Sequence, residues 1–177
     1  KFQVMSLLVI AALVMPAALM AQGSKTDFSG SWSYDTARST TGQGQGQGQS
    51  QRPGGQDRGG FGGGDFTAKQ DGNSLTVERT MNAPDGATRT VSSKYTLDGK
   101  ESVNTSRMGE SKSVATWSSD GKKLTIKTTR TMTRNGESRT ITSTEVWSLT
   151  DSKTLQIETT MPSPDGERKM TSVYVKK

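Results

Sequence analysis

From Asp65 onward, apolar residues alternate with Thr, Ser and charged residues at period two, and two-residue turn signals break the alternation at short intervals. Such a pattern sets one side of an extended chain against a core and the other in water. The turn signals are Asp71-Gly72, Asp85-Gly86, Asp98-Gly99, Asp120-Gly121, Asn135-Gly136 and Asp165-Gly166. Each joins Gly to Asp or Asn, residues that accept the positive φ angles of a tight hairpin turn. No window carries an apolar i, i+3, i+4 stripe, and the Thr and Ser content opposes helix further. The runs between turns predict ten strands, over 28–34, 65–70, 74–82, 88–97, 101–107, 112–118, 123–133, 137–149, 153–161 and 167–176.

A faint internal repeat reinforces the reading. Leu75-Thr-Val, Leu124-Thr-Ile and Leu155-Gln-Ile each lead through Thr-rich sequence to a methionine (Met81, Met132, Met161), then to a turn dipeptide and an aromatic residue (Tyr95, Trp147, Tyr174). The repeated unit is a long hairpin. Period two places Leu75, Val77, Arg79 and Met81 on one face; Leu124, Ile126, Thr128, Arg130 and Met132 on another; and Leu155, Ile157, Thr159 and Met161 on a third. Arg139, Ile141, Ser143, Glu145, Trp147 and Leu149 share a face, as do Val91, Ser93, Tyr95 and Leu97. Each face is apolar at one end and polar further along.

Only 29% of the chain is hydrophobic. A two-sheet sandwich must fill both inner faces to native density, whereas a closed barrel of eight to ten strands can hold polar side chains and water. The expected fold is therefore all-β: an antiparallel up-and-down meander of 8–10 strands in a barrel or strongly curved sheet, rather than a sandwich. Closure would also remove the exposed edges of a Thr-rich sheet.

Two segments stand outside this domain, which is expected over 27–177. Residues 1–21 begin with Lys1, run apolar from Val4 to Leu19 with only Ser6 and Pro16 interrupting, and end in small residues. They read as a secretory signal peptide, cleaved after Ala21 or after Gly23. The apolar run is shorter than the roughly 20 residues that span a bilayer and lacks a basic flank, so no stable membrane anchor is expected after processing. The segment 40–64 is dominated by Gly and Gln, cannot recover its ordering entropy, and is expected to be a disordered loop. Its RGGFGGG stretch is a single unit of the kind that binds RNA, and no nucleic-acid partner is expected.

Composition narrows the chemistry. The chain has no Cys and no His, which removes disulfides, thiolates, the commonest general base and the commonest transition-metal ligand. No calcium loop is present, and Glu78 and Glu158 have no paired carboxylate for glycoside chemistry. No catalytic residue, metal or cofactor is expected. The net charge of +6 is spread along the chain, as on a solvated surface. Asn104-Thr105-Ser106 is a glycosylation sequon, relevant only in a eukaryotic host.

The stretch Phe28-Ser-Gly30-Ser-Trp32 resembles the first-strand signature of the calycins, the lipocalins and fatty-acid-binding proteins, in which the tryptophan plugs the closed end of the barrel. The stretch from Asp120 to Lys177, opening DGKKLTIK and ending SVYVKK, is similar to the end of a fatty-acid-binding protein. The chain is also similar to small secreted bacterial β-rich proteins that open with FSGTW-like sequence. The resemblance implies a lipocalin-like barrel in which Gly30 and Trp32 form a plug, covered by a late basic residue such as Arg168 or Lys169. It also implies a carboxylate grip by an Arg-x-Tyr pair on the last strand. Here that pair reads Ser172-Val173-Tyr174, with the tyrosine present and the arginine absent. The helical lid expected between the first two strands has no counterpart, because the Gly/Gln segment lies there.

The candidate ligand-binding residues are Arg79, Arg130, Arg139 and Glu145, charged groups on apolar faces that must pair or border a wet cavity able to take an anion, together with Tyr174, which the resemblance implies. A one-residue register slip would turn the charged ones outward. The function expected is that of an exported, periplasmic or secreted binding protein for a small amphipathic or apolar molecule. The alternative is a non-enzymatic structural or envelope-associated β protein whose barrel is simply filled.

Overall fold

The computed structural model describes residues 24–40, 63–82, 87–106, 109–134, 137–164 and 166–177. Both the expected signal peptide and nearly all of the Gly/Gln segment lie outside them. Ten strands follow one another: β1 (Gly30–Thr40), β2 (Phe66–Asp71), β3 (Ser74–Asn82), β4 (Thr88–Thr96), β5 (Glu101–Ser106), β6 (Gly109–Trp117), β7 (Lys123–Arg134), β8 (Glu137–Asp151), β9 (Thr154–Ser163) and β10 (Gly166–Lys176). Every pairing is antiparallel, in the order β4-β3-β2-β1-β10-β9-β8-β7-β6-β5. The chain thus adopts the expected all-β, antiparallel up-and-down meander, a nearly closed barrel of ten strands among the described residues. Gly72, Gly99 and Gly121 stand at φ of 52°, 80° and 68°, the left-handed conformation for which each turn dipeptide supplies a glycine.

First and last strands zip together directly, with Tyr34 opposite Tyr174 and Trp32 opposite Lys176. The two edges are therefore β4 and β5, and side chains join them. The Asn104 carboxamide accepts from Lys94 N–H at 2.8 Å and donates to the Lys94 carbonyl at 3.0 Å, taking the place of a strand backbone. Two residues along, Ser102 Oγ accepts from Thr96 N–H at 2.8 Å. The seam thereby satisfies edge groups that would otherwise be open to another chain.

Some of the threonines form cross-strand hydroxyl pairs. Thr129 meets Thr142 at 3.1 Å and Thr131 meets Thr140 at 3.0 Å along the β7–β8 ladder, while Ser113 meets Thr128 at 2.9 Å from β6 to β7. The apolar core gathers toward one end. There Phe28, Trp32, Phe66, Leu75, Leu97, Leu124, Trp147 and Leu155 are buried. Phe28 precedes β1 and lies across this closed end, stacked on Trp117 and edge-on to Trp147, each with centroids 5.8 Å apart. Gln70 ties the entering chain down, donating to the Thr26 carbonyl and accepting from Phe28 N–H.

Trp32 lies at the closed end, 1% exposed, its indole N–H donating to the Phe28 carbonyl at 3.0 Å. The residue over its ring is Lys176, with Nζ 5.5 Å from the centroid. This corrects the expectation that Arg168 or Lys169 would cover it: both are exposed near the start of β10, at the other end of the barrel. Gly30 makes the cover possible. Its φ is 147°, and a Cβ there would stand 2.5 Å from Lys176 Cε.

Candidate ligand-binding site in the barrel interior

Above the apolar core the inward-facing series turns polar, as the face assignments anticipate. Arg79 follows Leu75 and Val77 on β3, Thr128 and Arg130 follow Leu124 and Ile126 on β7, and Glu145 adjoins Trp147 on β8. Aromatic rings connect them. Phe66 on β2 faces Arg79 in register, and the Arg79 guanidinium lies 4.7 Å from its ring centroid. The same ring meets Tyr174 edge-on at 4.8 Å and Trp147 at 5.5 Å. The Trp147 indole N–H donates to Glu145 Oε2 at 2.9 Å, which fixes that carboxylate beside the aromatic cluster.

Electrostatics bind the same residues into one belt. Burial pushes the Tyr95 hydroxyl up to about 12; the Glu145 charge adds to the rise, while Ser93, Arg79 and Arg130 oppose it. Burial likewise raises Tyr174, with the Arg79 charge as the main opposing influence. Tyr95 is half-buried as a residue, so it is the hydroxyl end that lies deep in the belt.

Four of the five candidate residues therefore converge: Arg79, Arg130, Glu145 and Tyr174. Arg139 does not join them. It shares the inward-facing side of β8 but sits near the hairpin end, opposite Met132, and is exposed. Tyr95, Phe66 and Tyr34 belong to the site although the sequence reading did not select them. Tyr95 was visible as a member of an apolar-to-polar face. Tyr34 reaches the site through the β1–β10 pairing, with its ring 5.4 Å from Tyr174.

Arg79 Nη1 and the Tyr174 hydroxyl are buried, and neither has a hydrogen-bond partner among the described residues. Arg79 and Ser172 stand near enough to that hydroxyl to act on it by hydrogen bonding as well as, for Arg79, by charge, yet neither meets it within full hydrogen-bond distance and angle. Ser172, where the resembled family carries the arginine of its Arg-x-Tyr pair, is itself buried. The cation near Tyr174 comes instead from β3, by way of Phe66. Both atoms can donate, so the pair is chemically suited to an oxyanion. Among the described residues no group of three or more acidic side chains is placed to hold a metal ion.

No family model matches the sequence, and no curated protein matches it. Among solved structures, the chain is similar to the crystal structure of a zebrafish ileal bile acid-binding protein complexed with cholic acid, at 19% identity and a TM-score of 0.45. The likeness covers 64% of this chain and 72% of that one, and it is a likeness of fold.

Proposed function

We propose that this protein is an exported binding or carrier protein, working in the periplasm or outside the cell, that holds a small amphipathic molecule inside its barrel by an anionic head. The single observation behind this reading is the pair of buried donors, Arg79 Nη1 and the Tyr174 hydroxyl, for which no hydrogen-bond partner is placed among the described residues. An unmade hydrogen bond at a buried polar group costs about 1–3 kcal/mol, more when the group is charged. A ligand carboxylate, sulfonate or phosphate would supply both bonds and neutralise the guanidinium. Half-buried apolar residues nearer the open end, Val91, Met132, Ile141, Met161 and Met170, suit the apolar part of such a molecule. The role is binding without chemistry, in keeping with a chain that lacks Cys and His.

The rival reading, a filled structural barrel, draws on the aromatic packing of the closed end around Phe28 and Trp32. It leaves the two donors unexplained. Native mass spectrometry of the protein purified from its own host separates the two. A copurifying acidic amphiphile, lost on denaturation, is the expected result; a mass equal to the bare polypeptide in repeated preparations would sink the binding reading.

A further inference from the structure

The strands that lead away from the core end in a recurring cross-strand pair. Met81 stands opposite Arg89, Met132 opposite Arg139, and Met161 opposite Arg168. Residues directly opposite on antiparallel strands project from the same side of the sheet. Met132 and Met161 continue the series that begin with Leu124 and Leu155, so these two pairs belong to the barrel's inner side at its mouth. Met132, Met161 and Met170 are half-buried, while Arg139 and Arg168 are exposed. The closed end uses lysine instead, with Lys25 and Lys176 over Trp117 and Trp32.

From inside outward, the order is buried donors at Arg79 and Tyr174, then flexible thioethers, then exposed guanidiniums. Methionine adapts to an apolar chain of any shape. Arginine offers a planar fork that grips carboxylate, sulfonate or phosphate by two bonds, which a lysine cannot do. Glu137, exposed and on Arg139's side of β8, sets one opposing charge at this rim; Glu110, Glu167 and Lys169, also exposed, alternate to the outer side.

We propose that the molecule this barrel takes is an elongated amphiphile that is anionic at both ends, one end held at Arg79 and Tyr174 and the other at the mouth by Arg139 and Arg168. The inference rests on the interior site proposed above for the first anion. Tyr174 and Arg168 lie six residues apart on β10, a separation of about 20 Å along the strand. That span suits an extended long-chain diacid.

The test compares hexadecanoate with hexadecanedioate by isothermal titration calorimetry, at about 50 mM salt so that rim charges are little screened. The diacid is expected to bind the wild type about tenfold more tightly than the monoacid. In the Arg139→Gln, Arg168→Gln double variant the advantage disappears and monoacid affinity stays as in the wild type. Both positions are exposed, so an unchanged urea midpoint accompanies the variant. Equal affinity for the two acids in the wild type overturns the inference and leaves the interior site standing. A double variant that weakens both acids equally also overturns it, since the rim would then act only as general attraction. Binding of neither acid overturns this inference together with the interior site.

Discussion

Replacing Arg79 by methionine is expected to stabilise the empty protein while abolishing its affinity for anions. The guanidinium lies over Phe66 at 4.7 Å, a cation–π contact that contributes about 0.5–2 kcal/mol. Against this stands Nη1, buried and unpartnered, at a cost of about 1–3 kcal/mol or more for a charged group. Methionine keeps the length of the stem, loses the charge, and places a thioether against Phe66 and Tyr174 for about 0.3–1.5 kcal/mol. The balance favours the variant by about 1–2 kcal/mol. Urea unfolding followed by tryptophan fluorescence reads this as a higher midpoint with an unchanged slope, a rise of about 0.5–1 M for a slope of about 2 kcal/mol per M. A midpoint that falls by a comparable amount would refute the reasoning. It would mean that the guanidinium is satisfied in the empty barrel, and the case for a missing anion would go with it.

Three further substitutions probe the parts that hold the site. Asn104→Asp keeps the acceptor for Lys94 N–H but turns a donor into an anionic oxygen facing the Lys94 carbonyl; a loss of about 1–2 kcal/mol in urea unfolding is expected, and no loss would show that the β4–β5 seam is held by other contacts. Gly30→Ala forces a Cβ into an unfavourable φ and against Lys176, so a cost of about 1–2 kcal/mol is expected, with a change in Trp32 fluorescence as the lysine leaves the ring. Tyr95, pushed up to about 12, is neutral in the folded state where an unfolded tyrosine is already ionising. Its contribution is therefore fully present below about pH 10 and is lost as the pH rises toward 12. Urea midpoints measured across that window should fall less steeply for Tyr95→Phe than for the wild type, and parallel slopes would count against a buried hydroxyl.

The period-two pattern and its Asp-Gly punctuation located β2 to β10 to within about three residues of their ends, because a hairpin is a local structure; β1 runs to Thr40, six residues beyond the expected end at 34, held there by its pairing with β10. They also gave the side of the sheet for Arg79, Arg130 and Glu145, whereas Tyr174 came from the resemblance of the last strand. Parity, however, says which side a residue faces and not how far along the barrel it lies. Arg139 shares its face with Glu145 yet stands at the rim, so depth had to come from the three-dimensional register. The same limit applies to Lys176, which covers Trp32 only because β1 pairs with β10, a contact between chain ends that no local window contains. The β4–β5 seam was hidden for the same reason: once the first and last strands pair, the edges fall in mid-chain. Tyr95 stood in a recognised face, but a tyrosine there reads as core until the charges of Glu145, Arg79 and Arg130 surround its hydroxyl.

The most direct test of the central claim, that Arg79 and Tyr174 form an anion site inside an apolar-lined barrel, compares two fluorescent probes of similar shape. One, anilinonaphthalene sulfonate, carries an anionic head; the other, N-phenylnaphthylamine, is uncharged. Titrated into the wild type and the Arg79→Met variant, the sulfonate is expected to bind the wild type saturably at one site and the variant not at all, while the uncharged probe binds both alike. Equal binding of the sulfonate to both proteins would contradict the account.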